Sequence, residues 1–361
     1  MKIGFFYPRY YPVTASASVH GYQIARELVN RGHTLLSCIN DENPDCVRYP
    51  ATKIGTYRLM KDADVLYIRL ASYFEHVSMW KLVRPFSLPV IWEINAPLEE
   101  RYAFGDEENL LPKIKWLNRK RRFYAKFVDA SVCVSRVIRD YSEDFLKIKK
   151  SVYVSNGSDP HHFSNEVAPA SCTVEWRDYF KVVWAGNPAM PWQAMDLMVD
   201  VCKKIERKRD DILFVFICSE REKFSFPPLK NIRVIYDVNY IDMPKYLVAA
   251  DVCMCLYKDY AWSKYGFYLS SLKLFDYMAT GKTVIASDMG QLSEVIQNGL
   301  NGFILPNSVD LIAEKIIHLA GQKELLSRIG RNARKDITSF YNWQRAAEQI
   351  EMLIFSLLEK R

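Results

Sequence analysis

The sequence predicts an α/β protein made of two doubly wound, Rossmann-like domains, each built on a parallel sheet. Apolar strand-like runs alternate with helical patterns through most of the chain, and these runs are apolar throughout instead of alternating with polar residues. Strands of this kind are buried on both faces by helices, as in a parallel sheet. The alternation fails once, in a turn-rich segment at 156–178, and then restarts. A chain of 361 residues also suits two cores better than one.

Each half of the chain carries its own set of strands and helices. We place the first domain at 1–165 and the second at 166–341. Strands are expected at 2–7, 34–39, 64–70, 89–94, 130–135, 151–155, 181–186, 212–219, 232–238, 252–257 and 283–288. Helices are expected at 20–32, 74–84, 112–128, 192–206, 243–250, from 272 onward, and through most of 308–361.

Composition excludes several classes of protein. Apolar residues make up 49% and charged residues 25%, which indicates a folded globular chain. A net charge of +7 suits a phosphate-bearing ligand, an anionic membrane surface or mere solubility, and does not predict nucleic-acid binding. Eight cysteines without a CxxC pair predict a reducing cytoplasm and no structural zinc. Without a signal peptide or a long apolar run, we expect a soluble or peripheral protein.

The stretch SSLKLFDYMATGKTVIASD, residues 270–288, places opposite charges on the first turns of an otherwise apolar helix. Ser270 or Ser271 can cap that helix, whose free amides attract phosphate. Lys273 and Asp276, three residues apart, share one face. Lys273 would add a full charge to a diphosphate, and Asp276 can accept two hydrogen bonds from ribose hydroxyls. The alternative is a surface ion pair between the two side chains.

The longer stretch LKLFDYMATGKTVIASDMGQLSEVIQNGLNGFIL resembles the signature of retaining glycosyltransferase family 4, whose members have the GT-B fold. Five further segments resemble that family in the same order along the chain. They are HGYQIARELVNRGH, VIWEINAPLEE, VSNGSDPHHF, WAGNPAMPWQAMDL and DMPKYLVAADVCM. The resemblance covers nearly the whole length. It implies two Rossmann-like domains facing a cleft, with a final helix at 342–361 that completes the first domain.

The resemblance also implies where a nucleotide sugar would bind. Asp276 would hold the ribose, while Lys273 and the backbone amides of Ser271 and Leu272 would face the diphosphate. The other donor-binding positions that it implies are Gly186 and Asn187 near the phosphates, Val238 and Tyr240 at the base, and Ala15, Ser16 and His20 in the first domain. For His20 an N-cap or first-turn role is the alternative.

Several positions depart from the family pattern. Tyr268 replaces the first acid of an E-x7-E pair, and Ala15 and Ser16 replace a Gly-Gly pair, which excludes glycine-only backbone angles there. Asn187 and Trp192 replace basic residues, so Lys273 must supply more of the positive charge. A catalytically weak or inactive sugar-nucleotide-binding relative is therefore an alternative.

Glu93 and Asn95 follow a first-domain strand at its carboxyl end, where the cleft is expected. Asn95 stands where many members of the family have a histidine near the reacting sugar. Both side chains are candidates, together with Lys273, for the catalytic set: they could contact the transferred sugar or orient the acceptor hydroxyl. The alternatives are a strand-end carboxylate that bonds loop amides and a turn residue before Pro97.

We expect neither a metal ion nor a cofactor. Asp62 and Asp64 form a DAD triplet, but they precede a strand and so lie at its amino end, away from the expected cleft. Helix amides and Lys273 can neutralise the leaving diphosphate instead.

The segment PKIKWLNRKRRFYAKF, residues 112–127, mixes basic and aromatic residues. Such a helix can lie on an anionic membrane surface, where each Lys or Arg adds about 1 kcal/mol. The alternative is an ordinary covering helix that buries its aromatic side chains against the sheet.

Taken together, the residues and the resemblance predict a retaining glycosyltransferase acting in polysaccharide or glycolipid assembly at the cytoplasmic side of a membrane. Its donor would be a nucleoside-diphosphate sugar, and its acceptor a glycan, a lipid-linked sugar or a small molecule. A GT-B epimerase is a further alternative, but it would need carboxylates and histidines clustered in the cleft.

Overall fold

The computed structural model describes residues 1–359 except 9, 11–12, 14–15, 39–44, 72–73, 83–87, 106, 220–223 and 259–262, and it leaves out the side chains of residues 16, 17 and 82. The chain forms two compact units. The first comprises Met1–Asn156, Trp262–Ser270 and Trp343–Arg361, and the second comprises Gly157–Ala261 and Ser271–Asn342.

The strands of both units are short, and those in the middle of each sheet are almost entirely buried, as their apolar sequences require. In chain order they are β1 (Lys2–Phe6), β2 (Thr34–Ser37), β3 (Cys46–Arg48), β4 (Val65–Arg69), β5 (Val90–Ile94), β6 (Ala130–Cys133), β7 (Ser151–Tyr153), β8 (Phe180–Gly186), β9 (Ile212–Cys218), β10 (Ile232–Tyr236), β11 (Val252–Cys255), β12 (Thr283–Ser287) and β13 (Phe303–Leu305).

The helices cover the two sheets. They are α1 (Ser16–Asn30), α2 (Lys53–Asp62), α3 (Glu107–Ala125), α4 (Arg136–Asp140), α5 (Met195–Glu206), α6 (Met243–Leu247), α7 (Leu272–Ala279), α8 (Gly290–Val295), α9 (Val309–Leu319), α10 (Lys323–Ser339) and α11 (Trp343–Leu358). Three 3₁₀ segments lie at Glu75–Leu82, Leu98–Phe104 and Ser171–Trp176, and a π-helical turn, Tyr141–Leu146, continues α4.

Both sheets are parallel and share one strand order. The first unit has the order β3-β2-β1-β4-β5-β6-β7, and the second has β10-β9-β8-β11-β12-β13. In each sheet, successive strands are added first toward one edge and then toward the other. This reversal falls between β1 and β4 in the first unit and between β8 and β11 in the second. In doubly wound sheets, ligands bind beyond the carboxyl ends of the strands at this reversal. The predicted class, two Rossmann-like parallel-sheet domains of the GT-B type, is confirmed.

Every strand expected from the sequence is present, with ends within about two residues of those predicted. Among the elements that were not expected are β3, β13, α2 and the short helix α4 with its π-helical turn. The two strands have only three residues each, and the α2 segment Lys53–Asp62 is largely polar and exposed, so its pattern is weak.

The limits of the units differ from the predicted ones at two places. Residues 157–165 lie in the second unit because Gly157 packs against the backbone of Tyr341 and Asn342, where a Cβ would come within 2.7 Å of the Tyr341 carbonyl oxygen. Residues 262–270 lie in the first unit, where Ser135 Oγ donates to the carbonyl of Tyr268 at 2.7 Å.

Two general features concern the chain's environment. None of the eight cysteines forms a disulfide bond, and Cys253 and Cys255 are buried in β11 as small core residues. Among the helices that the structure describes, none is long and apolar enough to cross a membrane.

Candidate functional site

The first candidate site lies in the second unit, where its strand order reverses. There β8 ends at Gly186, β11 ends at Cys255, and α7 begins at Leu272. Ser271 occupies the N-cap position, but its hydroxyl does not cap the helix; it forms a 2.6 Å hydrogen bond with the hydroxyl of Tyr257. Within the described chain, the amides of Leu272 and Lys273 have no hydrogen-bond partner. The helix therefore presents free N–H groups at its positive end.

Lys273 points its ammonium group into this corner. Its Nζ lies 4.2 Å from the centroid of the Trp184 ring and 3.1 Å from the side-chain oxygen of Gln193. No carboxylate of a described residue lies within 4 Å of it, so the predicted alternative of an ion pair with Asp276 is wrong. An ammonium group has three protons to donate, and the described residues accept one of them. The remaining two are available to an anion.

Gly186 makes room for that ammonium group. Its backbone has φ +154°, and a Cβ built on it would lie 2.7 Å from Lys273 Nζ. Any larger residue at the end of β8 would therefore displace the lysine. The neighbouring Asn187 closes the following turn, since its side-chain oxygen accepts from the amide of Ala189 at 2.9 Å. Of the two predicted phosphate-side positions, Gly186 thus lies beside Lys273, and Asn187 follows it in the same loop.

Burial changes the charge state of both α7 side chains. It lowers the pKa of Lys273 to about 8, because the ammonium has lost water without gaining a carboxylate. It raises the pKa of Asp276 to about 8, although Ser158 Oγ donates to the carboxyl at 2.7 Å and partly offsets the effect. A ligand that carries both an anionic group and hydroxyl groups would favour the charged forms of Lys273 and Asp276 near neutral pH.

The predicted base-side residues follow β10. Val238 and Tyr240 lie in a loop that begins at Asp237, whose backbone has φ +60°. The ring of Tyr240 packs on His162 and Phe163, with centroid distances of 5.3 and 5.4 Å. The loop is thereby held against the segment 157–165 of the same unit.

The second candidate site lies in the first unit, near the reversal between β1 and β4, and centres on Glu93. This carboxylate is fully buried and accepts hydrogen bonds from Tyr67 at 2.6 Å and from Arg69. His20 Nε2 lies 3.1 Å from it. Burial alone would raise the pKa of Glu93, but the positive charges of His20 and Arg69 outweigh it and hold the pKa below its usual value.

His20 is held from both sides. Its Nδ1 lies 2.5 Å from the side-chain oxygen of Asn156, whose amide nitrogen donates to the carbonyl of Ser270 at 2.8 Å. Both ring nitrogens therefore have a polar partner within the first unit. The N-cap alternative for His20 is wrong, because α1 begins four residues earlier. Both ring nitrogens of His20 are already engaged, so neither is available for the predicted contact with a nucleotide sugar.

Glu93 is likewise enclosed by side chains of its own unit, so the structure gives no support to its predicted contact with sugar or acceptor. Asn95, just beyond β5, is different. Its side-chain oxygen is buried and has no hydrogen-bond partner among the described residues. Such an atom is costly unless a ligand or water satisfies it. Of the remaining predicted positions, Ala15 and the side chain of Ser16 lie outside the described residues.

The two acids of the DAD triplet, Asp62 and Asp64, have ordinary structural roles. Asp62 accepts from the hydroxyl of Tyr49 at 2.7 Å, and Asp64 accepts from the backbone amide of Lys2 at 2.7 Å. Across the described ranges, no three His, Cys, Asp or Glu side chains are grouped so that they could hold a metal ion.

Sequence reasoning missed four residues of the second-unit site: Ser158, Trp184, Gln193 and Tyr257. Each meets α7 from a distant part of the chain, and none carries a motif of its own. One weak signal existed: Trp184 and Gln193 flank the Gly186 turn in the WAGNPAMPWQ segment.

Comparison with known proteins agrees with this geometry. Residues 179–322 match a family model described as glycosyl transferases group 1. The chain is 24% identical over 235 residues to an uncharacterized glycosyltransferase of Methanocaldococcus jannaschii, a match that covers 63% of this chain and 60% of the relative.

Two solved structures illustrate the shared fold. A glycosyltransferase from Rickettsia africae superposes with a TM-score of 0.74 at 14% identity, over 100% of this chain and 99% of that one. The Anabaena protein HepE in complex with UDP-glucose superposes with a TM-score of 0.67 at 13% identity, over 99% and 100% of the two chains. The family model covers less than half of the chain, and the two solved structures, at 14% identity or less, show the shared fold alone.

If Glu93 supports the first unit, the substitution Glu93→Gln destabilises the protein. Removing one charge from a buried ionic cluster leaves His20 and Arg69 uncompensated, at a cost of roughly 3–5 kcal/mol. We expect a clearly lower thermal midpoint at pH 7, and unchanged nucleotide affinity at temperatures where the variant is folded. Glu143→Gln, an exposed change in the same unit, is the control. A Glu93→Gln variant of native stability would contradict the structural role.

Proposed function

We propose that this protein is a retaining glycosyltransferase that moves a sugar from a nucleoside-diphosphate sugar to an acceptor hydroxyl, without a metal ion or cofactor. The observation that carries the proposal is the ammonium group of Lys273. It lies beside the free amides of α7 and has no carboxylate partner among the described residues. The match of residues 179–322 to group 1 glycosyl transferases includes this corner. In HepE, a structural neighbour, UDP-glucose is bound.

In this proposal the second unit holds the donor. The diphosphate is bound by Lys273 and by the amides of Ser271 and Leu272, with Gly186 and Asn187 close to it. Asp276 accepts hydrogen bonds from the ribose hydroxyls. Burial disfavours the ionised carboxyl in the absence of ligand, and each ribose donor stabilises it. The base lies near Val238 and Tyr240.

The reaction is a substitution at the anomeric carbon. The bond from that carbon to the diphosphate oxygen breaks, and the nucleoside diphosphate leaves with the electron pair. The acceptor hydroxyl attacks from the same face, and its proton passes to the departing phosphate, so the configuration is retained. Lys273 and the helix amides stabilise the charge that develops on the leaving group. Asn95 orients the sugar or the acceptor hydroxyl.

One observation favours the alternative that the protein binds a nucleotide sugar without catalysing transfer. At the position of the missing family acid, Tyr268 is fully buried in the first unit and its hydroxyl donates to Glu100 at 3.2 Å. That loss is compatible with a module that binds a nucleotide sugar without turnover. An epimerase is disfavoured, because Glu93 and His20 pair with each other.

We further propose that the protein works at the cytoplasmic face of a membrane, on a glycan or lipid-linked acceptor in polysaccharide or glycolipid assembly. The support is helix α3. Trp116 is 55% exposed and Phe123 is 47% exposed, so these rings are not buried against the sheet. Lys120 lies over the Trp116 ring at 4.4 Å and Lys126 over the Phe123 ring at 5.9 Å. Such exposed basic and aromatic side chains suit an anionic lipid surface.

The donor proposal predicts that Lys273→Ala abolishes nucleoside-diphosphate binding and leaves the fold intact. Binding of UDP, GDP, ADP and TDP is measured by calorimetry, and the best ligand is then tested on the variant. A lost charge-assisted contact costs about 1.5–3 kcal/mol, or at least about tenfold in affinity. Lys203→Ala, on the exposed face of α5, is the matched control. Equal affinities of Lys273→Ala and the wild type would reject the site.

The same contact predicts a pH dependence. Lys273 has a pKa of about 8 without ligand, so its ammonium is lost as the pH rises through 8, and affinity falls with it. The diphosphate stays ionised above pH 7, because phosphate groups ionise near pH 6. Asp276, whose pKa is also about 8, titrates in both the wild type and a Lys273→Arg variant, so the affinity of the wild type relative to the always-charged variant isolates Lys273 and should fall between pH 7 and 9.5.

Incubation with a panel of nucleotide sugars separates the two functional alternatives. Nucleotide release that depends on an acceptor supports transfer, and binding without release supports the non-catalytic module.

The membrane proposal predicts that the protein sediments with vesicles containing phosphatidylglycerol but not with pure phosphatidylcholine vesicles. The double substitution Trp116→Ala/Phe123→Ala should weaken this binding severalfold, since two exposed rings no longer enter the interface. Phe340→Ala removes an even more exposed ring, 68% exposed, from the second unit and should have no effect. Equal binding by the α3 variant and the wild type would contradict the proposal.

A further inference from the structure

A second polar cavity lies in the second unit, away from the proposed donor site. It has a volume of about 340 Å³ and opens where α7 ends and β12 begins, whereas Lys273 lies at the opposite end of α7. Four basic side chains line it: Lys282, Lys323, Arg331 and Arg334. None of them belongs to the proposed nucleotide-sugar site.

The charge of this cavity is not balanced. None of the four basic groups has a carboxylate of a described residue within 4 Å. Asp251 is the acid on the wall, and it already pairs with Lys181, whose backbone amide and ammonium both lie 2.7 Å from its carboxylate. The end of α7 offsets only about half a unit charge. The cavity is therefore strongly positive.

Two of the basic groups are held in place by backbone carbonyls. Arg334 donates to the carbonyls of Phe163 at 2.9 Å and Pro160 at 3.0 Å, and Lys282 donates to that of Val248 at 2.6 Å. Carbonyl partners fix the position of a cation but do not cancel its charge. Burial also lowers the pKa of Lys282, which an anion in the cavity would reverse.

The wall itself is rigid. The turn between α7 and β12 has Gly281 at φ +68°, and it packs so closely on α10 that a Cβ at Gly330 would lie 1.9 Å from the Gly281 carbonyl oxygen. Thr283 Oγ1 donates to the carbonyl of Leu326 at 3.1 Å. A site with its charges already positioned loses little entropy when a ligand binds.

We propose that this cavity binds a phosphate-bearing anion of about the size of pyrophosphate. Arginine guanidinium groups match the geometry of phosphate oxygens, and lysines and hydroxyls complete the set. Ser327 lies on the wall and accepts from Arg331 at 2.8 Å, which aims that arginine along the cavity edge. The phosphate belongs either to a free small molecule or to a lipid headgroup, which offer the same chemistry.

The test uses inorganic pyrophosphate as the probe and measures its binding by calorimetry. All measurements are made in the Lys273→Ala background, so that the proposed donor site does not contribute. The test variant is Lys323→Ala/Arg331→Ala, and the control is Arg328→Ala/Lys335→Ala, which removes the same charge from exposed positions of the same helix outside the cavity. All four side chains are exposed, so both variants should keep the wild-type thermal midpoint.

We expect the test variant to bind pyrophosphate at least about tenfold more weakly than the control variant, since each lost charge-assisted bond costs about 1.5–3 kcal/mol. A second arm replaces pyrophosphate by phosphatidylglycerol vesicles. Pyrophosphate binding that depends on the cavity residues identifies a free ligand. Vesicle binding with the same dependence, together with no pyrophosphate binding, identifies a headgroup. Equal losses in the test and control variants, or no binding in either arm, would overturn the proposal.

Discussion

The candidate site of the second unit depends on one half-buried ammonium group, that of Lys273. Lys273 lies over the face of Trp184, with one amide oxygen as its hydrogen-bond acceptor and no described carboxylate nearby. Two neighbouring residues accommodate this ammonium group and an anion beside it. Gly186 lacks a side chain where a Cβ would collide with Lys273 Nζ. The hydroxyl of Ser271 bonds to Tyr257 and therefore leaves the first amides of α7 free. Burying a cation in this way costs stability. An incoming anion recovers that cost, which is the physical basis of an anion site.

The first unit uses buried charge in the opposite way. Glu93, Arg69 and His20 satisfy one another, and Asn156 extends the network to the backbone of Ser270. A closed cluster of this kind stabilises and positions the ends of strands, but it leaves no group free for a ligand. Asn95 is the exception, because its oxygen remains buried without a partner in the described chain. The two units thus differ in chemistry although they share one strand order.

Much of this could be predicted from the sequence, for identifiable reasons. The long apolar strands are specified locally, so the two sheets were predicted, whereas the three-residue β3 and β13 carry too little pattern. Lys273 and Asp276 stood out because their motif combines a helix start with charges, whereas Gly186 was named from the family resemblance. The contacts that decide their chemistry, from Ser158, Trp184 and Gln193, come from distant segments, and the sequence gives only a weak signal for the last two. Glu93 and His20 were assigned to the ligand because a sequence cannot show that two candidate groups pair with each other.

The most direct measurement is the structure of the protein in complex with the nucleoside diphosphate that binds best. The account predicts that a phosphate oxygen lies at hydrogen-bond distance, about 3 Å, from Lys273 Nζ and that the diphosphate also accepts from the first amides of α7. A diphosphate bound elsewhere, with the Lys273 ammonium still on Gln193 alone, would contradict it.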